Sequence, residues 1–392
     1  MNNMNKEKVL IVLLGRYPTE KAYGVTTKNT IESLDSIGIE TVCVSYPDFG
    51  SSELKKGFYT FREGKLALSL RMLSYRTFGI LGKVCWKATT YLSLRQIPKM
   101  LENHAPTIVW IRDSRILNKF NQINSNAKLI LEIHDAPTKK LIKNVCKIDP
   151  NRIILAPISK LISSQLSELA EKKYKIIFSP MGINPKLFSK KVNLRDLRSI
   201  SSGTPIKIGY FGKLSPNGYS KGTEDLINLA IFHEEINFPS KFNLVGLSSS
   251  EVMKLSESFA KLGICDERFI LEEHKPHQLA IYAMSLCDIL FLPKQQSDTY
   301  VGSPIKGIEY AATGIPILAG ISKANLSLFE NSIPVFWYQS GNMKAMHESI
   351  ISIIESDNLE ENASISRNFA FERSWSLRCS KLVREIINLS SN

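Results

Sequence analysis

Along nearly all of its length the chain alternates short, continuous apolar runs with longer amphipathic stretches, a rhythm that predicts parallel sheets wrapped by helices. In the first half, buried strands are expected at residues 9–14, 40–45, 108–111, 128–133, 153–156 and 175–178. The first run leaves through Gly15-Arg16-Tyr17-Pro18 into a loop ending at Tyr23-Gly24-Val25. A helix over about 26–37, closed by Gly38, then leads to the second strand. This opening lacks a Gly-x-Gly-x-x-Gly fingerprint, which argues against a dinucleotide-dependent oxidoreductase. A polar, Ser-rich stretch at 189–205 reads as a linker. Beyond it the same rhythm resumes, with strands expected at 206–211, 242–245, 268–271, 289–292 and 335–338 and helices at 223–235, 343–356, 360–371 and 377–387. The expected organisation is a first domain over 1–188, the linker, a second domain over 206–371 and a C-terminal helix within 372–392.

The most strictly punctuated segment follows the run at 289–292. There Ser303 is a good N-cap, Pro304 suits the first helical position, Gly314 suits a left-handed C-cap and Pro316 forbids continuation. A helix entered at the carboxyl end of a parallel strand presents free N–H groups and a dipole that favour a phosphate. Glu309 lies about 7.5 Å further along the axis at 1.5 Å per residue, roughly the span from a pyrophosphate to ribose hydroxyls. Lys306 and Glu309 read equally as an i,i+3 surface pair. A second loop, Gly212 to Gly222, precedes the helix at 223–235 and carries Lys213 and Lys221, two cations able to clamp a diphosphate.

The net charge of +13 over 392 residues calls for an anionic partner or surface. Between residues 55 and 99, ten Lys or Arg residues face one acid, Glu63, among Leu, Phe, Trp and Tyr. In one helix over 65–87, Lys65, Arg76, Lys83 and Lys87 would share a stripe, although Gly79 and Gly82 argue against an unbroken helix. The pattern fits either an interfacial helix on anionic lipid or the solvated face of core-packed helices. A nucleic-acid partner is not expected, because no binding motif accompanies the charge. Six scattered cysteines without C-x-x-C spacing imply neither a disulfide framework nor a zinc site. The apolar run at 9–14 is too short for a signal peptide or a membrane span, so a cytoplasmic protein is expected, peripheral on the inner membrane face if the basic stretch docks there. His134 and Asp135 close one strand and Arg112 follows another. A lone histidine is open to a structural or a functional reading. His274 and His277 bracket Pro276 and read as loop residues.

Ser303-Pro304-Ile305-Lys306-Gly307-Ile308-Glu309-Tyr310-Ala311-Ala312-Thr313-Gly314-Ile315-Pro316-Ile317-Leu318-Ala319 resembles the nucleotide-sugar-binding segment of GT-B glycosyltransferases of the family 4, or group 1, type, in a Ser-Pro-x-Lys form. Val301 stands where many members carry a second Glu, and Lys213 where Arg is usual. The resemblance extends to Leu131-Glu132-Ile133-His134-Asp135, to Pro157-Ile158-Ser159-Lys160 and to Met181-Gly182-Ile183-Asn184 with Phe188. It implies an α/β, GT-B fold with two doubly wound Rossmann-like domains facing a cleft. It also implies transfer of a hexosyl or N-acetylhexosaminyl group from a nucleotide-diphosphate sugar to an acceptor hydroxyl, with retention and without cofactor or metal. His134, Lys213 and Lys221 would be catalytic. Gly24, Gly212, Gly302, Ser303, Pro304, Ile305, Lys306 and Glu309 would hold the donor, with Glu309 on the ribose and Arg112 on the acceptor side. The acceptor would be a glycan or lipid-linked oligosaccharide in cell-surface polysaccharide or lipopolysaccharide synthesis. A GT-B sugar-nucleotide epimerase and a degenerate GT-B-like binding subunit are the alternatives.

Overall fold

The computed structural model describes residues 7–17, 22–46, 58–60, 79–120, 126–169, 173–190, 192–198, 204–214, 222–264, 266–294 and 305–390. Lys221, Val301, Gly302, Ser303, Pro304 and most of the basic stretch before Gly79 lie outside them. The chain divides into two compact units, one comprising Met1–Pro180 with Trp375–Asn392 and the other Met181–Ser374.

The first unit holds a seven-stranded parallel sheet ordered β3-β2-β1-β4-β5-β6-β7. Its strands are β1 (Lys8–Arg16), β2 (Glu40–Tyr46), β3 (Phe58–Thr60), β4 (Ile108–Ile111), β5 (Lys128–Ile133), β6 (Ile153–Pro157) and β7 (Lys175–Ile176). Strand order reverses between β1 and β4, the doubly wound arrangement whose carboxyl ends open a crevice at the switch point. All four residues of β4 are buried, as expected of a strand covered on both faces.

Helix α1 spans Ala22–Ser36 and starts four residues earlier than the sequence suggests. Gly24 therefore sits buried in its first turn rather than in a loop. Burial of Ile31 and Leu34 in the core outweighs the roughly 1 kcal/mol cost of a helical glycine. Thr26 and Thr27 both donate to the Tyr23 carbonyl in that turn. Helices α2 (Ile80–Leu94), α3 (Ile97–His104), α4 (Lys139–Val145) and α5 (Lys160–Leu169) follow. Of the stretch considered as one helix over 65–87, the part before Gly79 lies outside the described residues; α2 is entered at Gly79 with φ 99° and runs through a buried Gly82. The last helix, Trp375–Ile387, places Cys379, Leu382, Val383 and Ile386 in one core with Val9, Ile11 and Trp110.

The second unit holds a six-stranded parallel sheet ordered β10-β9-β8-β11-β12-β13. Its strands are β8 (Ile206–Phe211), β9 (Ser240–Leu247), β10 (Phe269–Glu273), β11 (Ile289–Leu292), β12 (Ile317–Gly320) and β13 (Phe336–Tyr338). The helices are α6 (Glu224–Glu235), α7 (Ser249–Lys261), α8 (His277–Met284), α9 (Ile305–Thr313), α10 (Lys323–Phe329), α11 (Met343–Ile354) and α12 (Leu359–Phe371). Here the order reverses between β8 and β11. Residues 181–188, grouped with the first domain on sequence, pack in this unit: the Ile183 N–H donates to Arg373 O and Arg367 Nη2 to Phe188 O. Among the described residues no helix is long and apolar enough to cross a membrane.

Candidate functional sites at the strand ends

In the second unit, glycine and close packing leave backbone at the switch point. Gly212 follows β8 with φ 137°, and its N–H donates to Val245 O. Gly246, with φ 99°, lies so close that a Cβ would stand 3.0 Å from Gly212 Cα. The following turn is pinned twice. Tyr210 Oη donates to Lys213 O at 2.7 Å, and the Leu214 N–H donates to Glu251. Glu251 also closes a capping box with Ser248 at the start of α7. On the other flank, Lys294 backbone passes against both Gly222 and Gly320, where added Cβ atoms would meet it at 2.2 and 2.5 Å. The buried Asn325 amide donates to Pro293 O and Gly320 O, tying the ends of β11 and β12.

Helix α9 lies against this backbone. Tyr310 is fully buried, and its hydroxyl accepts the Phe211 N–H. Burial holds its pKa well above the usual phenol value, so it stays neutral. Gly307 admits Leu328 and Phe329, and Gly314, with φ 79°, ends the helix where Arg367 Nη1 donates to Ala312 O. Lys306 turns toward β8: its Nζ donates to Tyr210 Oη at 3.2 Å, lies 4.5 Å from that ring's centroid, and occupies the space a Cβ on Gly212 would need. Glu309, 16% exposed, bonds His277 Nε2 at 2.7 Å through Oε1. Lys306 and Glu309 thus have different partners, and no surface pair between them forms. Ile305 is half-buried at the helix start and Lys213 is exposed.

His277 corrects the expectation of a loop residue. It opens α8, with Pro276 as its N-cap. Pro276 separates the two histidines but also starts a helix, the signal that could have drawn attention to it.

The first unit fills its strand ends with charge. Glu132, 2% exposed at the end of β5, accepts from Arg112 Nε at 2.6 Å and pairs with His134 Nε2 at 3.1 Å, both through Oε2. Its Oε1 accepts from Arg378 Nη2 at 2.5 Å, a residue 246 positions away on the last helix. Arg112 Nη1 donates to Thr26, and Arg378 Nε to Pro180 O. Arg378 lies over Trp375 and Trp110, and its buried Nη1 has no hydrogen-bond partner among the described residues. Burial alone would raise the Glu132 pKa, but Arg378 and Arg112 hold it well below the usual carboxylate range. His134 keeps 30% of its side chain exposed, yet burial, and next Arg112, lowers its pKa. Arg112 and His134, separate candidates on sequence, are brought into one cluster by Glu132, which Arg378 holds from the last helix.

No protein-family model matches the chain, and no curated protein matches it by sequence. Solved structures do match its fold. Sucrose-phosphate synthase from Thermosynechococcus elongatus superposes with a TM-score of 0.70 at 13% identity, covering 98% of this chain and 100% of that one. HepE of Anabaena, solved with UDP and glucose, gives 0.65 at 15% identity over 97% and 99%. The lipopolysaccharide outer core galactosyltransferase WaaB gives 0.65 at 14% over 97% and 99%. The fold is that of GT-B, with two Rossmann-like domains.

Proposed function

We propose that the protein is a retaining glycosyltransferase of the family 4 type, moving a sugar from a nucleotide-diphosphate donor to an acceptor hydroxyl. The observation that carries this reading is the grouping of Gly212, Lys306 and Glu309 at the second unit's switch point, on a fold shared from end to end with enzymes solved bound to UDP or a UDP-sugar. Glycine lets backbone approach a diphosphate, and Lys306 brings positive charge beside it. One Glu309 oxygen is held by His277, leaving the other to accept from the ribose hydroxyls. Lys213 and Lys221, with the loop at Gly302, Ser303 and Pro304, stabilise the diphosphate as its bond to the anomeric carbon breaks. The anomeric carbon forms its new bond to the acceptor oxygen as its bond to the diphosphate breaks, and the hydroxyl proton passes to the departing diphosphate. His134 contacts the sugar and Arg112 serves the acceptor side. The group transferred is a hexosyl or N-acetylhexosaminyl unit, and no resident metal or cofactor is invoked.

The acceptor is a glycan or a lipid-linked oligosaccharide at the inner face of the cytoplasmic membrane, as in polysaccharide or lipopolysaccharide synthesis. What supports this is α2. Ile80, Val84, Lys87 and Tyr91 fall within about 60° of one another at 3.6 residues per turn. All four are exposed, Ile80 by 83% and Tyr91 by 60%, with Lys83 and Arg95 exposed beside them and no acid in the helix. Apolar side chains among lysines suit an anionic lipid surface. Flotation with phosphatidylglycerol vesicles is expected to carry the wild type and not Ile80→Glu/Tyr91→Glu; equal flotation of both removes this role for α2.

The transfer itself is tested by release of nucleoside diphosphate from a panel of nucleotide sugars, with and without membrane extracts as acceptor. One donor should turn over, faster with acceptor, and Glu309→Ala should abolish it. Binding without turnover would favour the degenerate subunit, and interconversion of the free donor the epimerase.

A further inference from the structure

Glu132 does not need His134 to be satisfied. Its two oxygens already receive two guanidinium groups, Arg112 on Oε2 and Arg378 on Oε1. The ring nevertheless points Nε2 at Oε2 from 3.1 Å. An ionised carboxylate only accepts, so Nε2 carries a proton. Burial, followed by Arg112, disfavours the imidazolium, and a neutral ring protonated at Nε2 has its lone pair on Nδ1. Arg112 is fixed in turn by Glu132 at Nε and by Thr26 at Nη1.

We infer that Glu132 is a positioning residue that holds His134 as the Nε2–H tautomer, so that Nδ1 is presented as a hydrogen-bond acceptor for a sugar hydroxyl, with Arg112 locked beside it. The sugar in this statement rests on the proposed nucleotide-sugar activity, whereas the tautomer does not. The Nδ1 acceptor takes a hydroxyl proton into a hydrogen bond without abstracting it, so no covalent step is assigned to the ring. Arg378 extends the arrangement to the last helix, which buries Cys379 and Leu382 in the core of the same unit.

The test is nitrogen NMR of the full-length protein labelled at histidine, at pH 7, alone and with UDP-glucose as probe. Wild-type His134 should be neutral with its proton on Nε2. Glu132→Gln should release the ring into a mixture of tautomers. A cationic ring, or a proton on Nδ1, in the wild type overturns the inference. In case Glu132→Gln unfolds the first unit, His134→Asn and His134→Gln provide a second comparison. The Asn amide reaches toward the Nδ1 position and the Gln amide toward Nε2. His134→Asn should keep about tenfold more UDP-glucose turnover than His134→Gln, the worth of one hydrogen bond near 1.4 kcal/mol. Equal losses, or the reverse order, overturn the assignment of Nδ1. A wild type that shows the expected tautomer but neither binds nor turns over UDP-glucose places the failure in the choice of donor, not in the role of Glu132.

Discussion

The two sheets share one winding order and differ in what stands at their switch points. In the first unit a buried carboxylate collects two arginines and a histidine from β4, β5 and the last helix. In the second, two glycines with positive φ bring backbone within contact distance, and the nearby charges, Lys306 and Glu309, each have a side-chain partner. A cluster that satisfies its own charges holds side chains in place. Backbone stripped of side chains makes room for a ligand instead. Under the proposed function, the diphosphate therefore belongs at the second unit's switch point and only orienting contacts come from the first.

The largest expected effect lies in the charged cluster. Replacing one partner of a buried ion pair strands the others, so Glu132→Leu should cost about 3–5 kcal/mol in urea unfolding. Glu309→Leu, at a partly open site with one histidine partner, should cost less than about 1 kcal/mol. Equal costs would erase the distinction between the two sites.

Acid should separate the units next. His233 is fully buried, held by Ser240 Oγ and by His347, and burial pushes its pKa down to about 3. A histidine that is neutral when folded but titrates near 6.5 when unfolded contributes stability above about 6.5 that is lost as pH falls toward its folded value. Glu132 behaves differently. Its stabilisation is present above the unfolded carboxylate value of about 4.3 and is lost only as pH falls through its depressed folded value. Burial lowers His134 in the first unit as well, but His233 is the one driven down to about 3, so hydrogen exchange followed from pH 7 to pH 4 should show the second unit weakening first, by a few kcal/mol. Simultaneous loss would contradict this order.

Smaller effects belong to the glycine-lined site. Gly212→Ala places a Cβ on Lys306 Nζ in a φ of 137°, at a strain of about 1–3 kcal/mol, and should abolish nucleotide binding while the fold survives. His277→Ala frees Glu309 Oε1 and should weaken a nucleoside diphosphate several-fold, about 1 kcal/mol by calorimetry. Unchanged affinity would leave His277 as a helix-opening residue only.

Much of this architecture is legible in residue order. The bounds expected for β4, β5, β8 and β11 coincide with those observed, because each is a run of four to six residues, mostly apolar and buried on both faces, ending at a polar residue, Pro or Gly. Helix starts were less legible. Gly24 read as a loop residue although the packing of Ile31 and Leu34 carries α1 through it, and β12 went unanticipated beside the punctuated segment before it. The charged cluster could not be read at all, since Glu132 and Arg378 meet across 246 residues and neither carries a local pattern. Lys306 was visible as a candidate, but its partner Tyr210 is 96 positions away.

The central claim is that the second unit's switch point binds the diphosphate of a nucleotide sugar. Its most direct test is the melting of the wild type, Gly212→Ala and Glu309→Ala proteins against UDP, GDP, ADP, CDP and dTDP. One nucleotide at 100 times its Kd should stabilise the wild type by about 2.7 kcal/mol, with the shift lost in Gly212→Ala and reduced in Glu309→Ala. A wild type that melts at the same temperature with all five, or a shift that both variants retain in full, would contradict the account.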